Sequence, residues 1–339
     1  MKITKGRFAA ALAFTLLGLG FRGWSQAPTA VANSEATQQL PTWAYIDPPS
    51  GRGRGAGPRN TNPTDAVHHV PGSTQEYPQS FISSLFNVPD WFPESHPPMP
   101  DVVAHGRPPS VWACGFCHLP NGMARPENES IAGLPVQYMI QQIHDFKSGV
   151  RKSSDPNLLS VQHMKNVALA VSEEDINVAV QYYASIKPTP AMRVVETDMV
   201  PKTKPTGFML QATDDGEEPI AGRIIELPED RDLTELRDDK SGFVVYVQKG
   251  SIKKGEELVA SGDNGKSLPC VTCHGSDLRG VGNIPSIAGR SPTQMVRQII
   301  DFQTGARNGQ GAAMMKPVVT NLNLNDIVNI VAYLTSLKP

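Results

Sequence analysis

Apolar positions recur with a helical period in two stretches far apart in the chain. Val136, Met139, Ile140 and Ile143 follow the i, i+3, i+4, i+7 rule, and Met295, Val296, Ile299 and Phe302 share one face. A second amphipathic helix is predicted after each. Ser172 with Asp175 reads as a capping pair ahead of the stripe Ile176, Ala179, Val180 and Tyr183; Asn323 with Asp326 stands likewise ahead of Ile327, Ile330, Val331 and Leu334. A leading helix is predicted from Ile252 to Ser261, with Leu258 and Val259 inward. At the matching place in the earlier stretch, Val102 and Val103 follow Pro97, Pro98 and Pro100, which cut that helix to a turn. Between the two helical regions, Arg193 to Val195, Gly222 to Leu227 and Phe243 to Val247 read as short strands separated by acidic and proline-containing turns.

The two helical regions are copies of one another. An offset of 156 carries Ile131-Ala132-Gly133 onto Ile287-Ala288-Gly289, Asp145 onto Asp301, Gly149 onto Gly305 and Arg151 onto Arg307. Beyond that point the offset falls to 151, which pairs Met164 with Met315, Asp175 with Asp326 and Tyr182 with Tyr333. Register held over so many positions marks a duplicated domain. The expected architecture is mainly α: two tandem helical domains at 100–187 and 250–339, with a small strand-containing insert at 188–249. The insert either bridges the domains or docks a partner. An extended N-terminal arm at 26–99 precedes them, and its Phe81, Leu85, Phe86, Trp91 and Phe92 are expected to wrap onto the first domain.

All four cysteines fall in the two copies of one pentapeptide, Cys114-Gly115-Phe116-Cys117-His118 and Cys270-Val271-Thr272-Cys273-His274. C-x-x-C-H is the pattern of covalent c-type haem attachment. Two thiols about one helical turn apart lie on one side of the chain, and the next residue turns toward the metal. A zinc site built from both pairs, or redox disulfides, would leave the repeated histidine without a role. The chain is therefore expected to carry two covalently bound haem c groups, with His118 and His274 as axial ligands. For the sixth position the repeat register nominates Met164 and Met315, in the loops before the last helices, with His163 and Met314 as alternatives. His105 and His144 are held in reserve. A ligand histidine needs its other ring nitrogen held by an acceptor. The carbonyl of Pro285, and at the same register that of Glu129, are the candidates.

The N-terminus adds a compartment. Lys2, Lys5 and Arg7 precede an uncharged apolar run from Phe8 to Phe21, short for a membrane span and suited to a secretory signal over 1–25. Its alternative is a retained N-terminal anchor. Cleavage would take the formal charge from −2 to −6 and favour a basic docking partner. No basic run or aromatic–basic platform suggests nucleic acid; Arg52, Arg54 and Arg59 sit in the glycine-rich stretch Gly51 to Arg59, which reads as a solvated linker.

With both C-x-x-C-H sites, Asn283-Ile284-Pro285, Ile287-Ala288-Gly289, the Met315 segment and Asn325-Asp326-Ile327 leading to Ala332-Tyr333-Leu334, the chain resembles the dihaem class I cytochromes c, nearest the cytochrome c4 type. The resemblance covers roughly 100–187 and 250–339. It implies His/Met ligation and soluble electron transfer in the periplasm, in a carrier rather than an enzyme. Two other readings stand beside it. One is a cytochrome subunit of a periplasmic or membrane dehydrogenase or oxidase, motivated by the long arm and the insert. The other is a dihaem enzyme with one open iron.

Overall fold

The computed structural model describes residues 39–48, 65–263 and 265–339. The apolar N-terminal run and the stretch Gly51 to Arg59 lie outside the described residues. In the first repeat, a single helical turn at Asp101–Ala104 precedes helices at Cys114–His118, Val136–Ser148, Leu159–Ala170 and Glu173–Ser185. In the second, the counterparts are Ser251–Ser261, Val271–His274, Pro292–Thr304, Ala312–Val319 and Leu324–Ser336.

Local chemistry explains their limits. Val136–Ser148 and Pro292–Thr304 both stop at a left-handed glycine, Gly149 and Gly305, where a side chain would be strained. Ser172 caps Glu173–Ser185 by accepting from the Asp175 N–H, and Asn323 with Asp326 forms a reciprocal capping box on Leu324–Ser336. Gly255 lets Ser251–Ser261 cross Leu324–Ser336 closely, because a Cβ there would collide with the Asn329 carbonyl. Each repeat closes around its own apolar cluster. Val102, Val103, Met139, Ile176, Val180 and Tyr183 fill the first; Leu258, Val259, Met295, Val296, Ile327 and Val331 fill the second.

Residues 188–249 hold two small sheets. In one, Met192–Glu196 runs parallel to Phe243–Val247, which pairs on its other edge antiparallel with Ile225–Pro228. The other is a hairpin of Met199–Thr206 with Met209–Pro219, which hydrophobic alternation does not reveal. Its residues are mostly polar and exposed; Val200 and Leu210 alone join Ile46, Ile220, Ile225 and Leu227 in a third cluster. The insert touches both repeats. Val245, Val247 and Ile224 complete the second repeat's core, whereas the turn after the Arg231–Glu235 helix lies on the first repeat, where Asn121 Nδ2 donates to the Asp239 carbonyl at 2.6 Å.

The arm departs from expectation. Trp91 and Phe92 pack with Val70 and Ile82 against Leu233 and Leu236 of the insert, and Trp91 Nε1 donates to the Leu236 carbonyl at 2.9 Å. Of the predicted apolar strip, the Leu85–Val88 part reaches the first repeat: Ala113 N–H donates to the Leu85 carbonyl at 2.9 Å, and Val88 covers Gly115. The aromatic residues turn inward because the insert offers them apolar partners nearer in space. Further upstream, Ala44 enters the second core and Asp47 Oδ1 accepts from Leu159 N–H at 3.1 Å. Leu40–Pro339 forms one compact unit.

Candidate functional site

Each pentapeptide forms a short helix, so its two thiols and its histidine share one side. Cys114 packs at the edge of the first core and Cys270 at the edge of the second; Cys117 is likewise half-buried, while Cys273 is exposed. None of the four is paired in a disulfide. Among the described residues no three His, Cys, Asp or Glu side chains gather in a group that could hold a metal ion. Burial, reinforced at Cys114 by the neighbouring Cys117, pushes the thiols up: to about 12 at Cys114, and about 11 at Cys117 and Cys270. These are neutral thiols in apolar walls, not activated thiolates.

The two histidines are held alike. His118 Nδ1 bonds to the Glu129 carbonyl at 2.8 Å, and His274 Nδ1 bonds to the Pro285 carbonyl at 2.8 Å. A carbonyl can only accept, so Nδ1 carries the proton and Nε2 keeps its lone pair for a metal. Burial lowers the pKa of both rings, which keeps them neutral. Tyr183 stands edge-on to His118 at 6.3 Å between ring centroids.

The candidate sixth ligands lie on helices, not in loops. Met164 and His163 are on Leu159–Ala170, which contains neither glycine nor proline and so extends to Ala170. Met314 and Met315 are on Ala312–Val319. Met315 is half-buried against the second core, whereas Met314 is 64% exposed. His163 packs 4.8 Å from Trp112 and 6.3 Å from Phe208, ring to ring, and Met164 beside it is half-buried. The reserve histidines face elsewhere: His105 is exposed, and His144 Nε2 bonds to Glu173 at 2.9 Å on the surface. His96 is buried and satisfied by Asp90, the Pro97 carbonyl and Tyr182.

Two groups of residues escaped the motif search. At the junction of the repeats, Arg151 and Arg307 form an antiparallel bridge, with Lys152 N–H donating to Ala306 and Asn308 N–H to Val150, both at 2.8 Å. Both guanidiniums are buried, and their side-chain partners are neutral. Arg151 reaches Gln142 and Gln298 at 3.0 and 3.1 Å; Arg307 reaches Gln298, Tyr138 and Gln142 at 2.8, 2.8 and 2.7 Å. Each also caps a phenylalanine of its own repeat, Phe146 or Phe302. Arg151 is near enough to His118 to disfavour its protonation. The repeat offset already paired these arginines; what sequence could not say is that the two meet. The second group is the insert's turn: Arg237 stacks 3.6 Å over the ring of Phe116, inside the first pentapeptide, and Nη1 donates to the Phe116 carbonyl at 2.5 Å.

Comparison with known proteins fits this geometry. A cytochrome c family profile matches residues 252–338. Cytochrome c-554(548) of Halomonas halodenitrificans is 40% identical over 68 residues, 20% of this chain and 82% of that protein. The thiosulfate dehydrogenase electron acceptor of Thiomonas intermedia is 25% identical over 219 residues, 63% of this chain and 74% of that protein. Cytochrome c4 of Azotobacter vinelandii is 24% identical over 232 residues, 66% of this chain and 84% of that protein.

Proposed function

From the premise that the chain belongs to the cytochrome c family and resembles its dihaem c4 members, we propose that it carries single electrons between redox partners through two covalently bound, His/Met-ligated haems. The observation that carries this reading is the duplicated histidine geometry: two neutral imidazoles, His274 buried and His118 half-buried, each with Nδ1 held at 2.8 Å by a backbone carbonyl and Nε2 left to bind iron.

Bound haem supplies an iron that cycles between two oxidation states. The protein does the rest. Cys114 and Cys117 would hold one group and Cys270 and Cys273 the other, through thioethers that neutral thiols would form without leaving a buried charge. His118 and His274 would offer Nε2 to the iron. Met315 is the better placed of its pair to supply a further ligand, because Met314 is exposed to solvent. Met164 takes the same role in the first repeat. Arg151 and Arg307, buried with neutral partners, offer their charge to the haem carboxylates. Thioether ligation raises the potential and closes the iron to exogenous ligands. A secretory signal over 1–25 would place the protein in the periplasm.

The electron donor is proposed to be a dehydrogenase. The Thiomonas intermedia relative is named for accepting electrons from one, and a relative from Chlorobaculum tepidum is a cytochrome subunit of another. Intact mass and a redox titration followed optically test the core reading. Two haems, a Met–Fe charge-transfer band and no rapid carbon monoxide binding to the reduced protein are expected. Rapid carbon monoxide binding at either haem would refute the carrier and favour an enzyme with an open iron.

A further inference from the structure

The carbonyls that hold the two histidines are supported in different ways. Pro285 has a fixed φ and lies in a surface turn closed within its own repeat, where Ile284 N–H donates to the Val281 carbonyl at 3.0 Å. At the same register the first repeat has Glu129, in an irregular stretch where proline does not occupy that position, Pro126 lying three residues upstream. That stretch is covered by the second repeat, so its backbone carbonyls need partners there. Two buried arginines of the Pro292–Thr304 helix region supply them. Arg297 Nη2 donates to the Pro126 and Glu127 carbonyls at 2.8 and 3.1 Å. Arg290 Nη1 donates to the Ser130 carbonyl, and its Nε to Ser286 at 2.7 Å. Gln294, between them, donates to the Glu129 carboxylate at 3.3 Å and accepts from Arg297. The first repeat carries Leu134, Tyr138 and Gln141 at the matching registers, so the clamp runs one way only.

We infer that Arg290, Gln294 and Arg297 of the second repeat are positioning residues for His118, the axial ligand of the first haem, acting through the Pro126–Ser130 backbone and the Glu129 carbonyl. This rests on the haem reading above. The chemical consequence follows from the Nδ1–H bond. A firmly placed carbonyl pushes electron density through the ring to Nε2 and favours the oxidised iron. When the carbonyl is loosened, the imidazole donates less and the potential of that haem rises. The second haem, held by Pro285, does not respond.

The test uses the full-length, haem-loaded protein. Arg297→Lys keeps the charge and removes the fork that grips Pro126 and Glu127. Gln294→Met is charge-neutral and half-buried, and it carries the same test should Arg297→Lys fail to load haem. NMR-monitored redox titration resolves each haem by its axial-ligand resonances, and hydrogen exchange of the His118 Nδ1 proton reads the bond itself. The expected result is a higher potential at the first haem only, with Nδ1 exchange accelerated about tenfold or more, in line with the loss of about one hydrogen bond. An unchanged first-haem potential and exchange rate in a protein holding both haems overturns the inference alone, as does an equal shift at both haems. A wild-type protein with no haem on Cys114 and Cys117 overturns the functional reading as well.

Discussion

Asp239 offers a prediction with a sign and a size. Its side chain is buried against the first repeat, and neither carboxylate oxygen has a hydrogen-bond partner. Burial, with the neighbouring Asp238 next, pushes its pKa from 3.8 to about 7. The folded state therefore binds this proton more tightly than the unfolded state does. Such a group contributes stability that is fully present below the unfolded pKa and is lost as pH rises through the folded one, here between about 4 and about 7. At ~1.36 kcal/mol per pH unit, the loss approaches about 4 kcal/mol above the window, of which roughly 2–3 kcal/mol falls between pH 5 and pH 8. Against a total of ~5–15 kcal/mol for a typical domain, that is readily measured. Asp239→Asn keeps the shape and removes the charge. Urea denaturation of wild type and variant at pH 5 and pH 8 isolates the joint effect of Asp239 and His96, whose charges act on one another, because the titrating groups away from them are common to both. The variant should lose less stability than wild type over that interval by roughly 2–3 kcal/mol. Parallel losses in the two proteins would refute the reasoning, and would mean that Asp239 finds a partner or solvent that its surroundings do not show.

Four more expectations follow from the site and its supports. Met315→Ala should abolish the Met–Fe charge-transfer band of the second haem and lower its potential, whereas Met314→Ala, at an exposed position, should change neither. Met164→Ala should do the same at the first haem; loss of the band in His163→Ala instead would hand the ligand role to His163. Arg307→Gln should lower both potentials in the same titration, because its guanidinium reaches Tyr138 and Gln142 of the first repeat as well as Gln298 of its own, and a nearby cation favours the reduced iron. Asn323→Ala removes the side-chain half of a capping box, the acceptor for the Asp326 N–H, and should cost about 1 kcal/mol in urea denaturation without altering either haem spectrum.

The sequence was most legible where one residue type answers one local demand. The capping pairs, the prolines that cut the leading helix, and the carbonyls at Pro285 and Glu129 all lie close along the chain to what they act on. The paired stripes show which face of each long helix is inward. Legibility failed where the deciding contact is distant. Nothing about Trp91 says that its indole N–H will meet the carbonyl of Leu236. The Met199–Thr206 and Met209–Pro219 hairpin presents mostly polar residues, so alternation has little to reveal. The segments bearing Met164 and Met315 were expected as loops because Gly309, Gly311 and Pro317 dominate the second copy. Yet the helix begins just after Gly311 and passes through Pro317 within its eight residues.

The points where the copies diverge are the points where the first repeat leans on other segments. Its leading helix is reduced to one turn, and the Leu85–Val88 strip packs beside its pentapeptide. Its loop after Arg151 is five residues longer than the second repeat's, and Ser154 in that loop donates through both N–H and Oγ to Asp301 at 2.7 Å. Where the second repeat has Pro285, it has Glu129 under a clamp of foreign arginines. The second repeat keeps a full leading helix and a self-closed turn, and its Thr272, Cys273, Val281 and Asn283 remain exposed. Support that is local in one copy is therefore long-range in the other. Ordering those long-range contacts costs chain entropy that only the assembled unit offsets. On the proposed reading, the second repeat would hold most of the determinants of its haem site within itself, and the first would acquire its ligand geometry only when the insert and the second repeat are in place.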